Sequence, residues 1–153
     1  MFDSDILLIF ALDYIKSIRT MVRNQQKKNH MTTDKVYIFF NSRDELLRID
    51  TSKIVYFEAD GNYTNIVMVN KLHAAVCMNL SEMERALADQ MGDDAEIFMR
   101  IGKRFIINMR YVYSINVLKQ QLVLSDYDHF AFQVNISKDA LKKMKELMLA
   151  AKV

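Results

Sequence analysis

From Val36 onward the chain alternates short runs rich in Val, Ile, Tyr and Phe with polar breaks. The runs are Val36 to Phe40, Ile54 to Phe57, Tyr63 to Val69, Leu72 to Met78, Phe98 to Ile101, Phe105 to Ile107, Val112 to Ile115, Gln121 to Leu124 and Phe130 to Ile136. Their length and composition predict β-strands, with Asp60-Gly61-Asn62, Asn70-Lys71 and Ser125-Asp126 among the turns between them. Many short strands at this spacing predict antiparallel sheets rather than βαβ units around a parallel sheet.

Two stretches interrupt the strand pattern with helical periodicity. Ser81-Glu82-Met83-Glu84 fits a capping box, in which a Ser hydroxyl and a Glu carboxylate satisfy free backbone donors. Met83, Leu87 and Met91 follow as one apolar stripe, and Gly92 is placed to end the helix. A second helix starts after Ser137, a candidate N-cap, with Leu141, Met144 and Met148 facing inward and lysines outward. The Met stripes read as core.

The first thirty residues have a different texture. Asp5 to Lys28 reads as one amphipathic helix, and Gln25 to Thr33 is a polar linker. The apolar core of this helix, Ile6 to Leu12, is seven residues long, against the roughly 18 needed to cross a bilayer. Asp3 and Asp5 precede it where a signal peptide would carry basic residues. No membrane span is expected. Three roles remain open: a helix docked on its own domain, a self-association helix, or a helix lying on a membrane surface. The chain thus divides into a helix and linker (1–30) and a β-rich domain (34–149).

Three glycines and no proline among 153 residues argue for regular elements with few turns that need positive φ. A net charge of +2 announces no partner, but its distribution does more. Arg100 to Arg110 contains four basic residues and no acid, Lys138, Lys142, Lys143, Lys145 and Lys152 gather near the C-terminus, and acids gather in Glu82 to Glu96. That asymmetry permits a basic face on a near-neutral body. Cys77, the one cysteine, excludes an intramolecular disulfide and points to a reducing, cytoplasmic compartment. Within the run Ala74 to Met78 it is expected to be a buried, inert thiol. His30, His73 and His129 have no ligand-like spacing, so no metal or cofactor is expected.

No enzyme template fits. Gly61, Gly92 and Gly102 stand apart and cannot form a phosphate cradle. Glu58 and Asp60 could share a strand face as an acid/base pair, but an edge carboxylate bonded to backbone is the plainer reading. No catalytic residues and no small-molecule substrate are expected.

Three segments carry the information. The first runs from Ile54 through Tyr56-Phe57-Glu58-Ala59 to Asn62-Tyr63-Thr64. The second is Phe98-Met99-Arg100-Ile101-Gly102-Lys103-Arg104-Phe105-Ile106-Ile107-Asn108, and the third is Val134-Asn135-Ile136-Ser137-Lys138. Taken in order, with the Leu-x-x-Met-Glu helix between the first two, they resemble the LytTR DNA-binding domain over about Asp34 to Leu149. The resemblance implies a mainly β domain of about ten mostly antiparallel strands in an elongated assembly, with two short helices. It also implies a bacterial transcription regulator that binds double-stranded DNA by placing loop residues in successive major grooves. One contact loop matches Gly102-Lys103-Arg104, another matches Ser137-Lys138, and a third falls near Asn62 and Tyr63, on the strand pair running to Asn70. The chain departs from the family at Gly102, usually His, and at Arg104, often Ser. The family's usual phospho-receiver domain is not expected within the residues preceding Asp34.

The residues point the same way independently. Arg and Lys in short, strand-bounded loops can reach phosphates and base edges. Lys142 and Lys143, on the first turns of the last helix, are candidate phosphate contacts. Arg100 lies inside a strand and could equally be a structural brace. A homodimer reading two half-sites, with the N-terminal helix as a possible association device, is the expected assembly. Two alternatives stand beside this reading. One is a protein-interaction module without nucleic-acid binding. The other is a single-strand binder, which needs Tyr56, Tyr63, Tyr111 and Phe105 exposed as stacking platforms.

Overall fold

A computed structural model of the chain describes residues 12–21 and 35–151. Within them lie helix α1 (residues 12–21), β1 (Tyr37–Asn41), β2 (Leu46–Asp50), β3 (Ile54–Asp60), β4 (Tyr63–Met68), β5 (His73–Val76), α2 (Leu80–Met91), β6 (Phe98–Ile101), β7 (Phe105–Asn108), β8 (Val112–Asn116), β9 (Gln121–Ser125), β10 (Ala131–Asn135) and α3 (Lys138–Ala151). All pairings are antiparallel: β1 with β2, a three-stranded sheet in the order β10-β9-β8, and a five-stranded sheet in the order β5-β4-β3-β7-β6. The mainly β class agrees with the sequence pattern, and the ten strands agree with the number that the resemblance implies.

The five-stranded sheet is covered on both faces, which explains why β7 reads Phe-Ile-Ile-Asn with every residue buried. On one face Val55, Ile101, Phe105 and Ile107 pack with Leu122 and Leu124 of β9, Val134 of β10, and Leu141 and Met144 of α3. On the other, Ile54, Phe57, Ile66 and Ile106 pack with Ile38, Phe40 and Ile49 of the β1–β2 hairpin and with Leu80, Met83 and Leu87 of α2. At roughly 1.5–3 kcal/mol per fully buried large side chain, these two clusters dominate the stabilisation.

Buried polar groups sit at the joints between elements. Asn108, 1% exposed, donates from Nδ2 to the Ile54 carbonyl at 2.8 Å and accepts the Arg110 amide at 3.0 Å. Its side chain therefore joins the end of β7 to the start of β3. Thr64, also buried, donates to the Met78 carbonyl at 2.7 Å, tying β4 to the segment leading into α2.

Three expectations are corrected. The capping box lies two residues earlier than Ser81 to Glu84. Asn79 accepts the Glu82 amide at 2.8 Å while Glu82 accepts the Asn79 amide at 2.9 Å. Leu80 is buried in the same cluster as Met83 and Leu87, so the helix must begin early enough to carry it on their stripe. Cys77 is exposed, not buried. It follows β5, an edge strand on which His73 and Ala75 also face outward. Strand β2 has no counterpart among the predicted runs: Leu47 and Ile49 alternate inward, but only Ile49 is fully buried and the strand is five residues long, so its pattern does not stand out in the sequence.

Of the N-terminal helix, residues 12–21 are helical. The flanking parts of Asp5 to Lys28, and the linker Gln25 to Thr33, lie outside the described residues. Helix α1 meets its own domain: the Ser17 hydroxyl donates to Glu96 Oε1 at 2.8 Å, and Ile18 is buried. Burial pushes the Tyr14 hydroxyl up to about 12, and that hydroxyl has no hydrogen-bond partner among the described residues. No described helix is long and apolar enough to cross a membrane.

Candidate nucleic-acid interface

Strands β6 and β7 pair from Phe98↔Asn108 to Ile101↔Phe105 and enclose the three-residue turn Gly102-Lys103-Arg104. Both stems are anchored, since Ile101 and Phe105 are buried, while the three turn residues are exposed. Gly102 has φ of +64°, the left-handed region in which a Cβ costs roughly 1–2 kcal/mol. An added Cβ there would meet nothing within 4 Å, so the glycine serves conformation rather than space.

Arg100 is the brace beneath this turn. Its Nη1 donates to the Ser81 hydroxyl at 2.9 Å and its Nε to the Gly102 carbonyl at 3.3 Å, with Glu84 Oε1 3.7 Å from Nε. The side chain thus links the base of the turn to the first turn of α2, as the brace role requires.

Strand β3 runs antiparallel to β7, so the β3–β4 turn lies at the same end of the sheet as Gly102 to Arg104. The Ala59 amide donates to the Arg104 carbonyl at 2.8 Å. Asn62 and Tyr63 are both exposed there, and the structure brings them together with Gly102, Lys103 and Arg104. Arg104 is not free: its Nη2 meets Glu58 Oε1 at 3.0 Å, and its guanidinium lies over the Phe105 ring, 5.4 Å from the centroid. Glu58 therefore bonds Arg104 rather than backbone, and Asp60 meets Asn65 Nδ2 at 3.4 Å. Neither acid has a proton donor or acceptor arranged as in an acid/base pair.

Ser137 and Lys138 form a second locus. Strand β10 ends at Asn135; the next residue, Ile136, donates its amide to the Gln120 carbonyl at 3.0 Å, and the chain then enters α3. Ser137 caps the helix: its carbonyl accepts the Leu141 amide at 3.0 Å and its hydroxyl the Ala140 amide at 3.4 Å. Lys138, Lys142 and Lys143 are exposed while Leu141 and Met144 are buried, so helical periodicity puts the lysines outward. The free amides of a helix N-terminus favour an anion.

Register adds a residue that no motif marks. Lys119 lies in the β8–β9 turn, exposed, with its amide held by Asn116 Oδ1 at 2.9 Å. The Gln120 bond to Ile136 brings that turn beside Ser137 and Lys138. The sequence signal is too weak to find it: one lysine in a turn whose spatial neighbour local order does not reveal. At the opposite end of β4 from Tyr63, Lys53, Lys71 and His129 line an open groove of about 420 Å³.

The aromatic residues required of a single-strand platform are mostly turned inward. Phe105 is buried, Tyr56 and Tyr111 are half-buried, and Tyr63 is exposed. Tyr56 packs edge-on against Phe105 and Phe132, and burial, then the charge of Glu58, raise its pKa.

The sequence pattern of the LytTr DNA-binding domain matches residues 44–149. The chain belongs to the LytTR DNA-binding domain family. Every strand from β2 to β10, and α2 and most of α3, fall within that match. The LytTR domain here is similar to the heme-containing CO-sensing transcriptional regulators RcoM 2 and RcoM 1 of Paraburkholderia xenovorans (strain LB400). Identity is 26% over 114 and 106 residues, or 74% and 69% of this chain. The matched regions take up 39% and 37% of those regulators, so the chain spans well under half the length of either. Its fold is similar to the LytTr DNA-binding domain of a putative methyl-accepting/DNA response regulator from Bacillus cereus. The TM-score is 0.52 and the identity 20%, with 75% of this chain and 98% of that one covered.

Proposed function

We propose that residues 34–149 of this chain bind double-stranded DNA sequence-specifically as the output domain of a bacterial, cytoplasmic transcription regulator without catalytic activity. Gly102-Lys103-Arg104 and Ser137-Lys138 would enter major grooves, Asn62 and Tyr63 would add contacts beside the first, and Lys142 and Lys143 would hold phosphates. A homodimer would read two half-sites, while residues 1–30 would form a helix and linker outside the DNA-binding domain, with the helix docked on it.

One observation carries this reading: Lys103 stands exposed on a turn whose stems are buried in the core and whose base is braced by Arg100. A cation aimed from a rigid scaffold can select base edges, whereas a cation on a mobile loop contributes mainly sequence-independent attraction. Family membership supports the DNA-binding reading.

A protein-interaction role has one specific observation in its favour. Tyr113 and Tyr127 are exposed and stacked edge-on at 5.5 Å, and Leu118 is 81% exposed. Selection of bound duplexes from a random library, followed by gel-shift titration against the selected duplex, a scrambled duplex and oligo-dT, separates the readings. Sequence-specific DNA binding requires the selected duplex to win by at least about a thousandfold over the scrambled one. Binding to none of the three would leave the interaction reading.

A further inference from the structure

The ion pair of Arg104 with Glu58 bears on how a basic turn discriminates between sequences. Glu58 is partly shielded, at 31% side-chain exposure against 67% for Arg104. It sits opposite Phe105 in the β3–β7 register and opposite Asn65 in the β3–β4 register, so its backbone is fixed on both sides. A single Nη of Arg104 is held, at 3.0 Å, which leaves the guanidinium's remaining donors available. Any phosphate approaching Arg104 also approaches the Glu58 carboxylate, whereas a guanine edge, with O6 and N7 acceptors but no net charge, does not suffer that repulsion.

We propose that Glu58 is a specificity-determining residue: it withholds Arg104 from indiscriminate phosphate pairing while leaving its fork able to read an uncharged base edge. The inference rests on the DNA-binding reading above and extends it. Phosphate contacts give affinity on any sequence and carry no sequence information. Neutralising one such contact in the free protein therefore lowers background binding more than operator binding. The device needs both partners, Glu58 and Arg104, which lie 46 residues apart in the chain and meet only through the β3–β7 pairing.

The test is a pair of variants, Glu58→Gln and Glu58→Ala, measured with the selected and the scrambled duplex over a salt series. With its charge removed, Glu58→Gln should bind scrambled duplex about two- to fivefold more tightly. The magnitude of the salt slope on that duplex should rise by about 0.9, with a smaller gain on the selected duplex. Both gains should vanish in an Arg104→Ala background, since Glu58 acts through that guanidinium. Equal gains with and without Arg104 would make Glu58 a general surface charge and overturn the proposal. So would unchanged scrambled-duplex binding by both variants, provided that circular dichroism shows them folded. If wild-type protein binds no duplex at all, the DNA-binding reading itself fails and this inference with it. That outcome is distinct from wild-type binding with inert Glu58 variants.

Discussion

Gln90 gives Phe39 the two hydrogen bonds that a neighbouring β-strand would give it. The Phe39 amide donates to Gln90 Oε1 at 2.8 Å, and Gln90 Nε2 donates to the Phe39 carbonyl at 2.8 Å. A side chain on α2 thereby occupies part of the outer edge of β1, which would otherwise offer unpaired groups to another chain.

Replacing Gln90 with alanine should cost about 1–2 kcal/mol for two solvent-accessible bonds and raise self-association through β1. Urea unfolding and light scattering read the two effects. Unchanged values in both would show that the amide does not guard the edge.

Asn108→Ala should cost more, about 2–3 kcal/mol, because it leaves the Ile54 carbonyl and the Arg110 amide without their partner at a largely buried joint. Any loss of DNA binding by this variant should follow its loss of stability and reverse on cooling. Binding lost by fully folded protein would instead assign Asn108 a direct role at the DNA.

The β9–β10 turn provides a pH signature. Partial burial acts to raise the Asp126 pKa, but it is outweighed by bonds from the His129, Phe130 and Asp128 amides and from the His129 ring. The carboxyl is thus held well below the usual carboxylate range. A depressed folded-state value stabilises the protein at pH above the unfolded value, near 4, and that contribution is lost as pH falls toward the folded value. Asp126→Asn should therefore narrow the stability difference between neutral pH and pH 3. A variant with the wild-type pH profile would contradict the role of these bonds.

Helix α1, with its Ser17–Glu96 bond and buried Ile18, should act as a docked element. Deleting residues 1–30 should lower the unfolding midpoint without changing the number of chains per sedimenting particle. A drop in that number would make the helix the association device. Tyr14→Phe, which removes a hydroxyl with no partner among the described residues, should be neutral or stabilising. A loss above about 1 kcal/mol would reveal a partner for that hydroxyl.

Strand positions are legible in the sequence wherever burial alternates or runs continuously. Phe98 to Ile101 matches β6 to the residue, and the β7 run omits only Asn108, whose side chain is polar but buried. Strand β2 is hard to read because it is short and only Ile49 of its two inward residues is fully buried, and the exposure of Cys77 is hidden because an apolar run does not reveal whether its strand lies at a sheet edge. The turn Gly102 to Arg104 can be read from local order, since two apolar stems bracket three polar or small residues. The pairing of Arg104 with Glu58, 46 residues apart, and the placement of Lys119 beside Ser137 cannot. Both depend on strand register, which local sequence does not encode.

The most direct measurement is the affinity of the Lys103→Ala, Arg104→Ala, Lys138→Ala triple variant for the selected duplex. Depriving one base edge of its side-chain partner should cost about 1–3 kcal/mol. Three such deletions should therefore weaken binding by at least about a hundredfold, with the unfolding midpoint nearly unchanged. Wild-type affinity in that variant would contradict the assignment and put the DNA-binding surface elsewhere on the domain.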